Sequence, residues 1–252
     1  MWRPISLSIN RVAETQKHID FPATKWSVII RATAAPSPLS RAALEDLCRL
    51  YWPPLYAFLR RSGQTPHAAQ DLVQGYLARL LEREDLATVS PTKGRFRSYL
   101  LAGLRNYLVS EARQAATHKR GGRAEIISLD LENAEALCPL THTDAITPDL
   151  AFDRRWAETV LEQALEKLRL ENIARGKERL YERLKPRLAT AAADDYATLG
   201  RELGMTPGAI AVAIHRLRVR LRELVRAAVA DTVGSAADLE EEMRNLLAIL
   251  SP

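Results

Sequence analysis

Residues 196–218 read YATLGRELGMTPGAIAVAIHRLR, and the spacing of turn and apolar residues within them decides the fold. Leu199 and Leu203 stand four apart, on one face of a short helix. Gly204 supplies a tight turn, Thr206 a capping side chain, and Pro207 the first position of a second helix, where a missing N–H costs nothing. On that second helix Ile210, Ile214, Leu217, Leu221 and Leu224 recur every three to four residues and form an inward seam. This is helix-turn-helix anatomy, in which the second helix enters the major groove of duplex DNA by its N-terminal end. Thr206, Gly208, Ala209, Ala211, Val212 and His215 lie at or near that end, where small residues admit close approach. Arg216, Arg218 and Arg220 follow and can reach phosphates.

Charge along the chain is uneven. The net charge is only +5, yet residues 93–123 carry eight Lys or Arg against one acid, Glu111. Residues 126–150 carry five acids (Asp130, Glu132, Glu135, Asp144, Asp149) and no base. Residues 207–226 carry five arginines against Glu223, and residues 231–252 five acids against Arg244. Basic helical blocks separated by acidic connectors suit a multi-point polyanion binder.

Helical periodicity extends outward from the decisive stretch. Leu44, Leu47, Tyr51, Leu55, Phe58 and Leu59 mark a helix opened by Ser40, which Pro53-Pro54 should kink or break and Gly63 should end. Thr65-Pro66 restarts the chain, with Ala69, Leu72, Val73, Tyr76, Leu77 and Leu80 on an apolar arc. The opposite arc carries Asp71, Gln74, Gly75, Ala78 and Glu82, small enough in places for something to lie close. Phe96, Leu100, Leu104, Tyr107 and Leu108 mark a long helix ending near Ala116. After an aperiodic stretch, patterning resumes from Asp153, and further helices are predicted around 173–189, 194–203 and 207–230. An amphipathic tail follows with Leu239, Met243, Leu246, Leu247 and Leu250.

The predicted fold is therefore all-α: two helical domains at 40–122 and 151–230, joined by an acidic linker at 123–150. A lead at 1–39, with a short helix around Trp26, and an acidic helical extension at 231–252 flank them. Composition agrees, with 47% apolar, 27% charged and only 6% aromatic residues.

Several function classes are excluded. No HExxH, P-loop, GxSxG or paired-carboxylate arrangement is present and the five histidines are scattered, so neither an enzyme nor a cofactor is expected. Cys48 and Cys138 stand far apart with no CxxC, and Cys138 and His142 lack a second ligand pair, so no zinc site is expected. No apolar run approaches the roughly 18 residues of a membrane span, and the N-terminus lacks a secretory core. A cytoplasmic protein that binds no membrane is the expectation.

The 93–123 block interleaves bases with aromatics. Lys93, Arg95, Arg97, Arg105, Arg113, Lys119 and Arg120 offer phosphate contacts, with Asn106 beside them. Phe96 and Tyr107 read as core, whereas Tyr99 is the candidate for an exposed stacking platform.

Taken together in this order, the segments resemble the extracytoplasmic-function group of sigma-70-type RNA polymerase sigma factors. The element QDLVQ at 70–74 is similar to that family's region 2.2, which grips the β′ coiled coil of core RNA polymerase. On that resemblance Asp71, Gln74, Gly75 and Ala78 become polymerase contacts, although Gly75 stands where the family commonly carries an acidic residue. GRFRSYLLAGLRNYLVSEAR at 94–113 resembles regions 2.3 and 2.4, which open and read the −10 promoter element, and the loop at about 86–95 would capture a flipped-out base. Residues 196–218 resemble region 4.2, the reader of the −35 element. The partners so implied are core RNA polymerase, at its β′ coiled coil and β flap, promoter DNA and an anti-sigma factor or other regulator. The acidic linker would mimic nucleic acid in the RNA path. Because residues 209–213 are poor in polar side chains, phosphate contacts and DNA shape are expected to outweigh direct base contacts. Two readings of the acidic tail follow: an internal cover over a basic surface, or a docking helix for a regulator. A helix-turn-helix regulator that binds DNA without polymerase is the alternative to the whole assignment.

Overall fold

The structure, a computed structural model, describes residues 38–82, 95–117, 146–189 and 196–251. The lead helix expected around Trp26, the base-capturing loop to residue 94 and the linker to residue 145 lie outside the described residues. Every regular element among the described residues is helical, as expected. The helices are α1 Pro38–Arg61, α2 Pro66–Glu82, α3 Phe96–Thr117, α4 Pro148–Ala174, α5 Glu178–Leu184, α6 Tyr196–Leu203, α7 Pro207–Ala230 and α8 Ala236–Leu250.

One local device opens three of them. Thr65-Pro66, Thr147-Pro148 and Thr206-Pro207 each place a threonine at the N-cap and a proline at the first helical position. In each case the threonine Oγ1 accepts from the N–H three residues on: Ala68 at 3.3 Å, Leu150 at 3.3 Å and Ala209 at 3.2 Å. Such a cap is worth about 1 kcal/mol. The second pair was passed over in the sequence, so α4 begins five residues before the expected Asp153 and takes Asp149 into its first turn.

Pro53 and Pro54 do not break α1, which runs through both. Their missing N–H groups leave the carbonyls of Arg49 and Leu50 without helical partners, at a cost of about 3 kcal/mol per proline. Burial outweighs this. Tyr51, Trp52, Leu55, Tyr56, Phe58 and Leu59 are all inside, each contributing about 1.5–3 kcal/mol. A helix buried on nearly every side is held by its surroundings rather than by propensity.

The chain divides into two compact units, at Thr159/Val160 and again at Val229/Ala230. The first unit joins α1, α2 and α3 with the start of α4 and with α8. Tyr51 meets Phe96 edge-on at 5.2 Å, Trp52 stacks on Tyr56 at 5.1 Å, and Phe152, Trp156, Leu239 and Leu246 complete the interior. The second unit holds the rest of α4, then α5, α6 and α7. Its α6–α7 core is Leu184, Leu199, Ile210 and Ile214, with Leu203, Met205 and Leu217 packed against it. The helix expected over 173–189 is interrupted, because Gly176 at φ 66° ends α4 and only Glu178–Leu184 forms α5.

Candidate nucleic-acid interface

In the second unit α6 and α7 are joined by a tight turn at Gly204. Gly204 takes φ 65° and the Met205 N–H donates to the Gly200 carbonyl at 2.8 Å, closing α6 with a left-handed cap. Gly200 is a second requirement that the sequence reading missed. A Cβ there would run into the Met205 carbonyl as the chain doubles back. Thr206 caps α7, and its hydroxyl is thereby engaged with the Ala209 N–H.

The candidate reading residues on α7 separate into two groups. Gly208, Val212, His215 and Arg216 are exposed, and Ala209 and Ala211 half-buried. Arg218 and Arg220 are held within the unit instead of reaching outward. Arg218 Nη2 donates to the Arg187 carbonyl at 2.7 Å. Arg220 is gripped by Glu171 at 2.7 Å and Glu223 at 2.7 Å, which together hold its guanidinium above its ordinary pKa. The side chains that do continue the exposed stripe are Val219, Arg222 and Arg226, which fall at helical spacing from Val212 and His215.

In the first unit, α3 presents Arg105, Asn106 and Arg113 at the surface. Phe96 is core, as expected, but Tyr107 is only half-buried. Tyr99 is also half-buried and lies 6.1 Å from the Phe96 ring. It lines an open cleft of about 350 Å³ with Tyr76, Arg79, Asn106 and Tyr107. Lys93, Lys119 and Arg120 lie outside the described residues.

Arg95 and Arg97 are placed differently from the exposed phosphate contacts foreseen. Arg97 is 8% exposed, and its guanidinium lies 4.8 Å from the Trp156 ring. It donates to Asp153 through Nη1 and to Glu242 through Nε, with Nη2 on the second Glu242 oxygen at 3.2 Å. Burial pulls the Arg97 pKa down, but Glu242 and Asp153 outweigh it and hold the charge above its ordinary value. Arg95 pairs with Glu241 and, at 3.0 Å, with Glu242. The acidic tail is thus found as an internal cover: α8 brings its carboxylates onto the two arginines that open α3. Asp149, one of the five linker acids, pairs with Arg105.

On α2, Asp71 and Ala78 are exposed, and Asp71 Oδ2 lies 2.9 Å from His67 Nδ1. Gly75 is not an open position. A Cβ on it would collide with the Tyr107 hydroxyl, so what lies close to this glycine is the chain's own α3. The arrangement is reciprocal, since Gly103 on α3 lies under the Tyr76 hydroxyl, which donates to the Leu100 carbonyl at 2.9 Å. Burial keeps the Tyr76 hydroxyl protonated by raising its pKa well above the ordinary value. The glycine at 75 therefore has a packing cause. The Gln74 amide is withdrawn from solvent, and neither its oxygen nor its nitrogen has a partner among the described residues.

Among the described residues no helix is long and apolar enough to cross a membrane, and no cluster of His, Cys, Asp or Glu could hold a metal ion. Fold and surfaces define an all-helical protein in which α6 and α7 meet across the tight turn at Gly204 and α3 presents a face set with basic residues. Within it, residues 47–117 match the family model described as Sigma-70 region 2. No curated protein and no solved structure matches the chain.

Proposed function

We propose that the chain is a sigma factor of the extracytoplasmic-function group, whose first unit binds core RNA polymerase and opens the −10 element while its second unit reads the −35 element. The observation that carries this is the co-occurrence, in one chain, of a region 2 match at 47–117 and a separate unit in which α6 and α7 meet across a tight turn, a pattern that we read as a helix-turn-helix at 196–218. In the first unit, Tyr99, Tyr76 and Tyr107 line a cleft with Arg79 and Asn106, a lining suited to stacking and edge-reading of an unstacked base. Arg105, Asn106 and Arg113 supply the exposed polar face beside it. In the second unit, Arg216 and Arg222 flank the exposed groove-facing residues of α7.

Polymerase binding is assigned to the outer face of α2 through Asp71, Gln74 and Ala78, against the β′ coiled coil, with the β flap as the second contact. The Gln74 amide supports this. A buried amide with both polar atoms unsatisfied costs about 1–3 kcal/mol, which turning outward to a partner would recover. The protein would act in the cytoplasm, and an anti-sigma factor or other regulator would control it.

Reconstitution with core RNA polymerase, followed by transcript start mapping, tests the assignment. Discrete starts that appear only when the chain is added support it. Tight, sequence-specific duplex binding by the chain alone, with no effect on start sites, would instead identify a polymerase-independent helix-turn-helix regulator.

A further inference from the structure

The glycine at 208 lacks the internal reason that six other described glycines have. Gly63, Gly176 and Gly204 adopt positive φ, and at Gly75, Gly103 and Gly200 an added Cβ would strike a tyrosine hydroxyl or a carbonyl. Gly208 has neither feature: a Cβ there meets nothing within 4 Å, and its φ is not in the left-handed region. Glycine in a helix is nonetheless less favourable than alanine. Nothing among the described residues requires it, and the open space over it lets an outside body come close to the backbone at this point.

The neighbouring surface indicates what that body is. Val212, one turn on, leaves 48% of its surface in solvent. Ala209 and Ala211 beside it are partly exposed, and no carboxylate or amide side chain occurs from Gly208 to Ile214. Further along the same stripe stand Arg216 and Arg222, both exposed. A smooth apolar patch leading into arginines at the N-terminal end of a helix-turn-helix reader fits a duplex groove, with phosphates beside it. In the major groove one base edge is apolar, the 5-methyl group of thymine, and it pairs with small aliphatic side chains.

We propose that α7 reads thymine 5-methyl groups in the upstream promoter duplex, with Val212 as the methyl contact and Gly208 as the point of closest approach. The inference rests on the assignment of the second unit as the −35 reader. It adds a direct base contact where phosphates and DNA shape were expected to dominate.

The test uses the full chain bound to core RNA polymerase and a random-sequence duplex pool. Selected duplexes are resynthesised with deoxyuridine in place of thymidine in the upstream element, a change that removes only the methyl groups. Affinity should fall about fourfold for each methyl that Val212 covers. Val212→Ala should shrink that thymine–uracil difference. Gly208→Leu should weaken selected-duplex binding about tenfold or more without lowering the melting temperature, since a Cβ there meets nothing within 4 Å and glycine is the less favourable helix residue. Selected duplexes that bind equally with uracil would overturn methyl reading while leaving the second unit a DNA reader. Failure to enrich any duplex would overturn the reader assignment itself. If Val212→Ala impaired assembly with polymerase but not duplex discrimination, the patch would be a protein contact and the proposal wrong.

Discussion

Glu242 sits under Arg97, 145 residues away along the chain, and the two form a doubly hydrogen-bonded ion pair almost sealed from water. Glu242 is 1% exposed, so its charge depends on Arg97 and Arg95 for solvation. Glu241, its neighbour, pairs with Arg95 but leaves 54% of its side chain in solvent. The two glutamates should therefore differ sharply. Glu242→Ala should cost about 3 kcal/mol, because it strands buried guanidinium charge. Glu241→Ala should cost no more than about 1 kcal/mol. Urea unfolding of the full chain followed by circular dichroism measures both, and equal effects would mean that α8 is a loosely held cover and not part of the first unit's interior.

The reciprocal packing of Gly75 and Gly103 under Tyr107 and Tyr76 fixes how closely α2 and α3 approach. Gly75→Ala should destabilise the protein by about 1–3 kcal/mol through overpacking against the Tyr107 hydroxyl. Tyr107→Phe removes the oxygen in the way, so the double variant should regain most of that loss. A double-mutant cycle in the same unfolding assay should give a coupling of about 1 kcal/mol or more. Additive effects would place the strain elsewhere.

Cys48 provides a chemical probe of α1. Burial, assisted by the nearby Glu45 carboxylate, pushes its thiol up to about 11 from an ordinary 9.0. At pH 8 its thiolate fraction should be about a hundredth of that of an unperturbed cysteine, and alkylation correspondingly slower. Mass spectrometry of iodoacetamide-treated protein, native and then unfolded, checks this. Labelling of Cys48 in the native protein at the unfolded rate would show that the first unit is open at α1.

What was legible in the sequence was local. Periodicity placed a helix around 207–230, where α7 lies, because the seam from Ile210 to Leu224 repeats at one helical period and Thr206-Pro207 marks its start. The same start signal at Thr147-Pro148 was available and was masked by the acidic, aperiodic stretch around it. Pro53-Pro54 misled for the opposite reason: a local rule was overridden by burial that only the assembled unit reveals. The candidate interface was less legible because its decisive features are long-range. That Arg97 faces Trp156 and Glu242, or that Gly75 lies under Tyr107, follows from which helices pack together, not from spacing along any one of them. Arg222 was overlooked among the α7 arginines because exposure cannot be separated from internal pairing when five of them follow one another closely.

That separation leads to a prediction for the second unit. Arg216→Ala should lower the salt slope of duplex binding by roughly 0.9, as expected for one phosphate contact, and leave stability unchanged. Arg220→Ala should leave the slope alone and cost about 0.5–1 kcal/mol, since its partners Glu171 and Glu223 lie within the unit. Holoenzyme–duplex binding across a salt series separates the two, and an identical slope change for both would put Arg220 at the DNA.

The first unit offers its own contrast, between a closed arginine and an open one. Arg105 and Asp149 form an ion pair in which both side chains are half exposed, at 51% and 55%. Water and salt already compete for such a pair, so its net strength is about 1 kcal/mol or less. A phosphate can therefore displace Asp149 from Arg105 at little cost, whereas displacing Glu242 from Arg97 would require opening the interior. Asp149→Asn should then tighten binding of a single-stranded −10 oligonucleotide to the holoenzyme two- to fivefold, the equivalent of roughly 0.4–1 kcal/mol. Arg105→Ala should weaken that binding and reduce its salt slope by roughly 0.7, the single-strand value for one contact. Fluorescence anisotropy at several salt concentrations reads both effects. If Asp149→Asn left the affinity unchanged while Arg105→Ala reduced it, Asp149 would not compete with the strand, and the cover over α3 would end at Arg95 and Arg97.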